Sequence, residues 1–378
     1  MNFVLTPEAA LLQPITIGGF EARNRIFMAP MTRSRSESDG TPSQLQVEYY
    51  TQRAGAGLII GESTAVSAVG NGAYLNTPGI YTDRHQQGWA AVASSVHEAG
   101  GRMFLQLWHV GRMGHPNING GGLQPVGPSP ISANVLAHTS SGKKPLPVPR
   151  ELSIDEIADI AVQFRHAARR AIDAGMDGVE IHAGNGYLLH QFLSDTANHR
   201  SDRYGGSAEN RSRLTVEVIG AVAAEIGANR VGLRISPGNP EADMQETDKE
   251  LAYLALLHRI APLNIAYLHL LVDPADPVFE KIRAMWAGAL VLNTGKDVPT
   301  DFYRLDALVD RGVISAISAG RAYLANPDLL ERLRSGSELD EPISATLYSK
   351  GPQGYTDYPT LSRGPVMTPS PRGRWRPQ

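Results

Sequence analysis

The chain has 378 residues, 42% of them hydrophobic, a net charge of −3 and no cysteine. That length supports a large buried core, and alternating β/α barrels run this long as one domain. The charge leaves no basic footprint for nucleic acid, no apolar run is long enough to span a bilayer, and the lack of thiols excludes disulfides, thiolate zinc sites and cysteine-ligated iron–sulfur clusters. The first twelve residues have neither a basic start nor a continuous apolar stretch, so no secretion signal is expected. The expectation is a cytoplasmic monomer or homodimer that acts on small molecules, with no nucleic-acid or membrane partner.

Short apolar runs alternate with amphipathic segments along the chain. Strands are predicted at residues 25–30, 57–62, 102–108, 178–182, 230–236, 265–272, 289–293 and 314–318. Helices are predicted between and after them, at 42–54, 84–99, 153–174, 207–226, 248–260, 278–287, 300–310 and 326–335. Ser153 and Glu156 form a capping box, with Ile157, Ile160, Ala161, Phe164 and Ala168 at helical spacing behind it. Eight such alternations predict an α/β fold of the closed (β/α)8, or TIM, barrel type, in which the loops after the strands carry function. Residues 1–361 would form this single unit. Two stretches break the alternation. Residues 111–150, rich in Gly and Pro, follow the third strand and read as a lid or capping insertion. Residues 362–378, rich in Arg and Pro, read as a flexible tail.

The most informative stretch is Gly178 to Leu193. A short buried strand releases His182, Asn185 and Tyr187 into a Gly-rich turn. Two neutral donors beside a phenol can polarise a carbonyl and deliver a proton next to it. The stretch offers no thiolate and no ionised carboxylate in this cluster, which argues against an activated nucleophile.

Other polar residues stand at or just past strand ends. Thr32 offers a hydroxyl after the first strand, or caps its own turn. Gln106 and Trp108 alternate to one side of the third strand. A Gln there either bonds to neighbouring backbone or meets a heteroaromatic edge. Arg234, inside an apolar strand, needs an anion or acceptors, from the protein or from a ligand. Gly320 and Arg321 after the eighth strand, with Asn293 and Gly295 after the seventh, suit a phosphate in the place where barrels often bind one. The histidines have no carboxylates at metal-ligand spacing, so no catalytic metal is expected, and those other than His182 read as surface or packing residues.

Taken in order, residues 29–35 (Ala-Pro-Met-Thr-Arg-Ser-Arg), 105–112 (Leu-Gln-Leu-Trp-His-Val-Gly-Arg), 180–193 (Glu-Ile-His-Ala-Gly-Asn-Gly-Tyr-Leu-Leu-His-Gln-Phe-Leu), 200–211, 233–237, 320–328 and 354–359 resemble the Old Yellow Enzyme family, in its larger, Thr-bearing group. The resemblance runs from about Leu11 to Leu361. It implies non-covalent FMN, reduced by NADPH or NADH, which then reduces an activated C=C bond. It assigns Pro30, Met31, Thr32, Ser63, Gln106, Arg234, Asn293, Gly295, Gly320 and Arg321 to the flavin. His182 and Asn185 would grip the substrate oxygen and Tyr187 would donate the proton, with Tyr74, Trp108 and Tyr355 shaping the pocket. Two other readings are a flavin-free phosphate-binding isomerase or aldolase, which would need a buried lysine or carboxylate near His182, and a flavin-storing barrel without turnover.

Overall fold

The computed structural model describes residues 3–119, 121–295 and 299–362. The expected tail lies outside the described residues beyond Ser362. Among the described residues, eight parallel strands close into a barrel: β1 (Ile26–Met28), β2 (Ile59–Ala65), β3 (Met103–Trp108), β4 (Gly178–Ala183), β5 (Val231–Ile235), β6 (Tyr267–Leu271), β7 (Leu290–Asn293) and β8 (Ala316–Ala319). Helices α1 (Gln44–Thr51), α2 (Asp83–Glu98), α3 (Ile154–Asp173), α4 (Leu188–Leu193), α5 (Ala208–Ile226), α6 (Lys249–Ile260), α7 (Pro277–Met285), α8 (Phe302–Asp310), α9 (Arg321–Ala325) and α10 (Leu329–Ser335) follow the strands. Each predicted strand and helix is present. The short α4 and α9 are additions. The capping box forms as expected, with Glu156 N bonded to Ser153 Oγ at 3.3 Å and Ser153 N to Glu156 Oε2 at 2.9 Å.

The barrel interior is layered because alternate residues of each strand face inward. The lowest layer is apolar. Phe27, Leu58, Ile60, Phe104, Tyr267, Val291 and Ala316 form one cluster there. An antiparallel hairpin, Ile15–Ile17 with Phe20–Ala22, closes this end and adds Ile17 and Ala22 to the same cluster. The rings of Phe20 and Phe104 lie 5.6 Å apart. Phe104 fills so much of the floor that a Cβ on Gly178 would fall 2.4 Å from its ring.

Residues 111–150 are not a bare loop. They carry the hairpin Leu136–Thr139 with Gly142–Pro145 and a small parallel pair between Val126–Gly127 and Arg150–Glu151. Ala133, Ala137 and Leu146 form a separate apolar cluster inside this segment. Strands of two to four residues between glycines and prolines leave little periodicity to read.

Candidate active site

Above the floor, the next inward position on most strands is polar. Gln106 on β3 donates from Nε2 to Glu180 Oε1 on β4 at 2.7 Å and accepts from the Ser63 hydroxyl on β2. Glu180 Oε2 lies 2.8 Å from Nδ1 of His269 on β6. His269 Nε2 lies 2.8 Å from Nη1 of Arg234 on β5 and 2.7 Å from the hydroxyl of Ser318 on β8. Ser318 Oγ also accepts from Asn293 Nδ2 on β7 at 2.7 Å. All seven side chains are buried, and together they form a continuous polar belt across the barrel.

The belt has a defined protonation pattern. Burial alone would push the Glu180 carboxyl up, but His269, Arg234 and Gln106 hold it below the usual carboxylate value. Burial, then Arg234, lowers His269, which is neutral. A carboxylate only accepts hydrogen bonds, so His269 carries its proton on Nδ1 and presents Nε2 as an acceptor to Arg234. The Arg234 guanidinium is thereby held without a direct carboxylate contact among the described residues.

Ser63 reaches the belt through an irregularity in β2. Gly61 pairs with Leu105, but Thr64 pairs with Leu107, so β2 spends one extra residue there. Without that bulge, Glu62 would share the inward face of Ile60. Instead Glu62 turns outward to α1, where Gln46 Nε2 donates to it at 2.9 Å and the Tyr50 hydroxyl at 3.3 Å.

The upper layer continues the alternation from Gln106 to Trp108 and from Glu180 to His182. His182 is lowered well below the ordinary histidine value, by burial first and then by Arg234, so it is neutral. Its Nδ1 and the Trp108 Nε1 are buried without a partner among the described residues. Beyond β4 the chain makes a tight left-handed turn, with φ of 53° at Asn185 and 80° at Gly186. Asn tolerates such values and Gly meets no steric cost. Asn185 N donates to Ser236 Oγ at 2.8 Å. Gly186 is clamped at both ends: its N–H donates to His190 Nδ1 at 2.9 Å and its carbonyl accepts from Gln191 Nε2 at 2.7 Å. Both clamps come from α4, which therefore fixes where Asn185 and Tyr187 stand.

The Tyr187 ring meets Trp108 edge-on at 4.5 Å and lies 5.2 Å from the His182 ring. Burial and the neighbouring Tyr74 push the Tyr187 phenol well above its ordinary value, so it holds its proton. Tyr74, itself pushed up to about 12 by burial, stacks on Trp108 at 6.4 Å and on Tyr348 at 5.3 Å. An aromatic wall thus runs from the exposed Tyr348 to His182.

The C-terminal segment is fastened by buried arginines from the start of the chain. Arg33 donates to the carbonyls of Leu347 and Gly354, and Arg35 to those of Thr346, Leu347, Gly351 and Gln353. Tyr355 is fully buried in this clasp, stacked on Tyr49 at 4.0 Å with Arg33 and Arg35 over its ring. Tyr348 makes the segment's contact with the aromatic wall.

The remaining sequence-predicted residues surround the belt less tightly. Pro30, Met31 and Thr32 are half-buried after β1, and the Thr32 hydroxyl has no hydrogen-bond partner among the described residues. A Cβ on Gly320 would lie 3.2 Å from Met31 Sδ, so the loops after β8 and β1 touch. Gly295 has φ 91° and donates to Asn293 Oδ1 at 2.9 Å. Arg321 is exposed.

Two sequence expectations are corrected. The cluster around His182 does have carboxylates: Glu180 is two positions before it on the same strand, and Glu241 Oε2 accepts from Asn185 Nδ2 at 2.8 Å. His269 and His190 are not mere packing residues, since one sets the polar belt and the other holds the turn at Asn185 and Gly186. The polar third position in each run, Tyr-Leu-His269 and Gly-Val-Glu180, was the available signal.

The sequence profile of the NADH:flavin oxidoreductase / NADH oxidase family matches residues 10–340. A probable flavin mononucleotide-dependent alkene reductase of Leishmania infantum is 37% identical, with 93% of this chain and 97% of that protein covered. Among solved structures, the old yellow enzyme homologue from Zymomonas mobilis superposes with a TM-score of 0.89 at 42% identity, covering 93% of this chain and all of that one. Morphinone reductase in complex with tetrahydroNAD gives a TM-score of 0.86 at 41% identity, with coverages of 93% and 98%. The residues fit a flavin: a belt of donors and acceptors spans the barrel, and Trp108 Nε1 and His182 Nδ1 are buried donors or acceptors left without partners among the described residues. The chain belongs to the NADH:flavin oxidoreductase / NADH oxidase family, as an Old Yellow Enzyme-type oxidoreductase that uses FMN and a nicotinamide coenzyme.

Proposed function

We propose that the chain is an ene-reductase that reduces activated alkenes such as enones, nitroalkenes and maleimides, and also quinones. The observation that carries this reading is a buried, neutral His182 beside a fully protonated Tyr187, directly above the polar belt. Ser63, Gln106, Arg234 and Asn293 would hold FMN from the belt, with Pro30, Met31, Thr32, Gly295, Gly320 and Arg321 around it. Bound FMN supplies the hydride, taken from NADPH or NADH.

His182 and Asn185 hold the oxygen of the substrate's carbonyl or nitro group. Their donors strengthen as negative charge grows on that oxygen, so they favour the transition state over the ground state. Tyr187 protonates the α-carbon from its hydroxyl, and the edge contact with Trp108 keeps its ring in place. Trp108, Tyr74 and Tyr348 line the side of the pocket and exclude water. Tyr355 supports that side from within the arginine clasp. Residues 111–150 act as the lid that shapes substrate access.

The test is a coupled one. Flavin released from the purified protein is identified by chromatography, and oxidation of NADPH and NADH is followed with cyclohex-2-enone. Recovery of FMN and saturated product supports the reading, and FMN without turnover of any activated alkene overturns it.

A further inference from the structure

The loop between β5 and α6 holds a buried carboxylate that the proposed chemistry leaves unused. The residues on either side of it are tied to the chain that leaves α4: Gln245 O accepts from Ser194 Oγ at 2.8 Å, and Thr247 N donates to Asp195 Oδ1 at 3.0 Å. Glu246 between them turns inward, and its side chain is only 2% exposed. Its Oε2 accepts from Gly238 N at 2.7 Å, which closes the loop on itself. Its Oε1 lies 3.3 Å from Nε2 of His190, a fully buried side chain on α4. Among the described residues that Nε2 has no other partner. Burial raises the Glu246 carboxyl, but His190 and the Gly238 N–H hold it below the usual carboxylate value. Burial and then Glu246 push the neighbouring Tyr253 phenol well above its ordinary value, so Tyr253 is neutral.

The other ring nitrogen of His190 faces the turn at Asn185. Gly186 N donates to Nδ1 at 2.9 Å, so Nδ1 carries no proton and the ring proton sits on Nε2, toward Glu246. Asn185, at φ 53°, holds a conformation disfavoured for a residue with a Cβ, and such a turn persists only where its surroundings fix it. Gly238, Glu246, His190 and Gly186 thus form one line of contacts from the loop after β5 to the turn after β4. The two are also packed together: a Cβ on Gly186 would collide with Ala242 Cβ. A carboxylate can accept at both oxygens, whereas a glutamine has one accepting end and one donating end. Glu246→Gln therefore keeps the contact with the Gly238 N–H or the one with the His190 N–H, and loses the other.

We propose that Glu246 is a positioning residue for substrate binding: through His190 it ties the loop after β5 to the turn at Asn185 and so sets the Asn185 amide for the substrate oxygen. This rests on the reading of Asn185 as a substrate donor. The experiment follows reoxidation of the full-length, FMN-loaded, reduced enzyme by cyclohex-2-enone in stopped flow, which separates the apparent Kd from the limiting rate. E246Q and H190A should each raise the apparent Kd about tenfold, the worth of one hydrogen bond. H190N, whose side-chain oxygen can accept from Gly186 N–H in place of Nδ1, should stay within about twofold of the wild type. In an N185A background the donor is gone, so E246Q should add less than about twofold. An equal loss on the Kd in both backgrounds, or no loss in either, overturns the proposal; if E246Q does not fold, H190A is read in the same two backgrounds. A second readout needs no turnover. ¹⁵N NMR of the histidines, with H190N to identify the signals, should show His190 neutral and protonated on Nε2, and a proton on Nδ1 overturns the pair. If the wild type is reoxidised by no enone, the ene-reductase reading falls and the proposal with it, whatever the tautomer.

Discussion

His269 and Glu180 are both fully buried and are joined by a 2.8 Å hydrogen bond from Nδ1 to Oε2. Through the other ring nitrogen, His269 accepts from Arg234 at 2.8 Å. Burial works against the Arg234 charge, and Glu180 is the main group that offsets it. Glu180→Gln removes the largest offsetting charge, frees the His269 tautomer and leaves a buried cation poorly compensated. Unfolding free energy should fall by about 3 kcal/mol in urea titration. A variant as stable as the wild type would mean that Arg234 is supported from elsewhere.

The pH dependence of stability should show the buried histidines. Burial lowers His109 to about 3, with Nδ1 accepting from Gly111 N at 3.1 Å. A folded value below the unfolded value of about 6.5 gives stability that is present above pH 6.5 and lost as pH falls toward 3. His109 alone should contribute a loss of roughly 2 kcal/mol between pH 7 and 5. His109→Asn keeps an acceptor for Gly111 N–H but does not titrate there, so its stability should decline less over that interval. Equal slopes for the two proteins would exclude His109 as the titrating group.

Tyr187→Phe keeps the edge contact with Trp108 and removes only the acid. Reduction of the bound flavin by the coenzyme should be nearly unchanged, while enone reduction falls by about 10²–10⁴-fold. Quinone reduction should persist, because its oxygens can be protonated from water. Equal loss with quinones and enones in stopped-flow reoxidation would show Tyr187 to be structural.

The Thr32 hydroxyl, without a hydrogen-bond partner among the described residues, is the group proposed to tune the flavin. Thr32→Ala should slow reduction by the coenzyme more than reoxidation by an enone. Unchanged reduction rates, measured anaerobically with each coenzyme, would remove Thr32 from the cofactor site.

Because Ala133, Ala137 and Leu146 form a cluster of their own, the hairpin tip can be shortened without opening the barrel. Removing residues 139–142 and rejoining the strands should change KM values across an enone series while the protein stays yellow. Failure to retain flavin would show that the segment belongs to the core.

The barrel was legible because its strands are buried on both faces and read as apolar runs between amphipathic helices. Glu156 and Ser153 marked the start of α3 by themselves. The grouping of polar residues at the mouth was legible because His182, Asn185 and Tyr187 are close in sequence. The belt was not. Glu180 and His269 are 89 residues apart, and only the barrel register makes them neighbours. The role of Ser63 also depends on a bulge that reverses the facing of Glu62, which strict alternation cannot predict. Glu241 and Tyr348 reach the pocket on loops, where no periodicity applies.

The arginine clasp has a consequence for how the protein is made. Arg33, Arg35 and Arg53 are buried, and carbonyls of residues 323–355 complete their coordination. A ribosome emits these cations some three hundred residues before their acceptors. β1 likewise waits for β8, with which Ile26–Met28 pair. The nascent chain therefore carries three arginines without their final acceptors, and an open sheet edge, until residues 316–355 have emerged. The interval before the last segment emerges is when a chaperone, or aggregation, has the longest access to this protein.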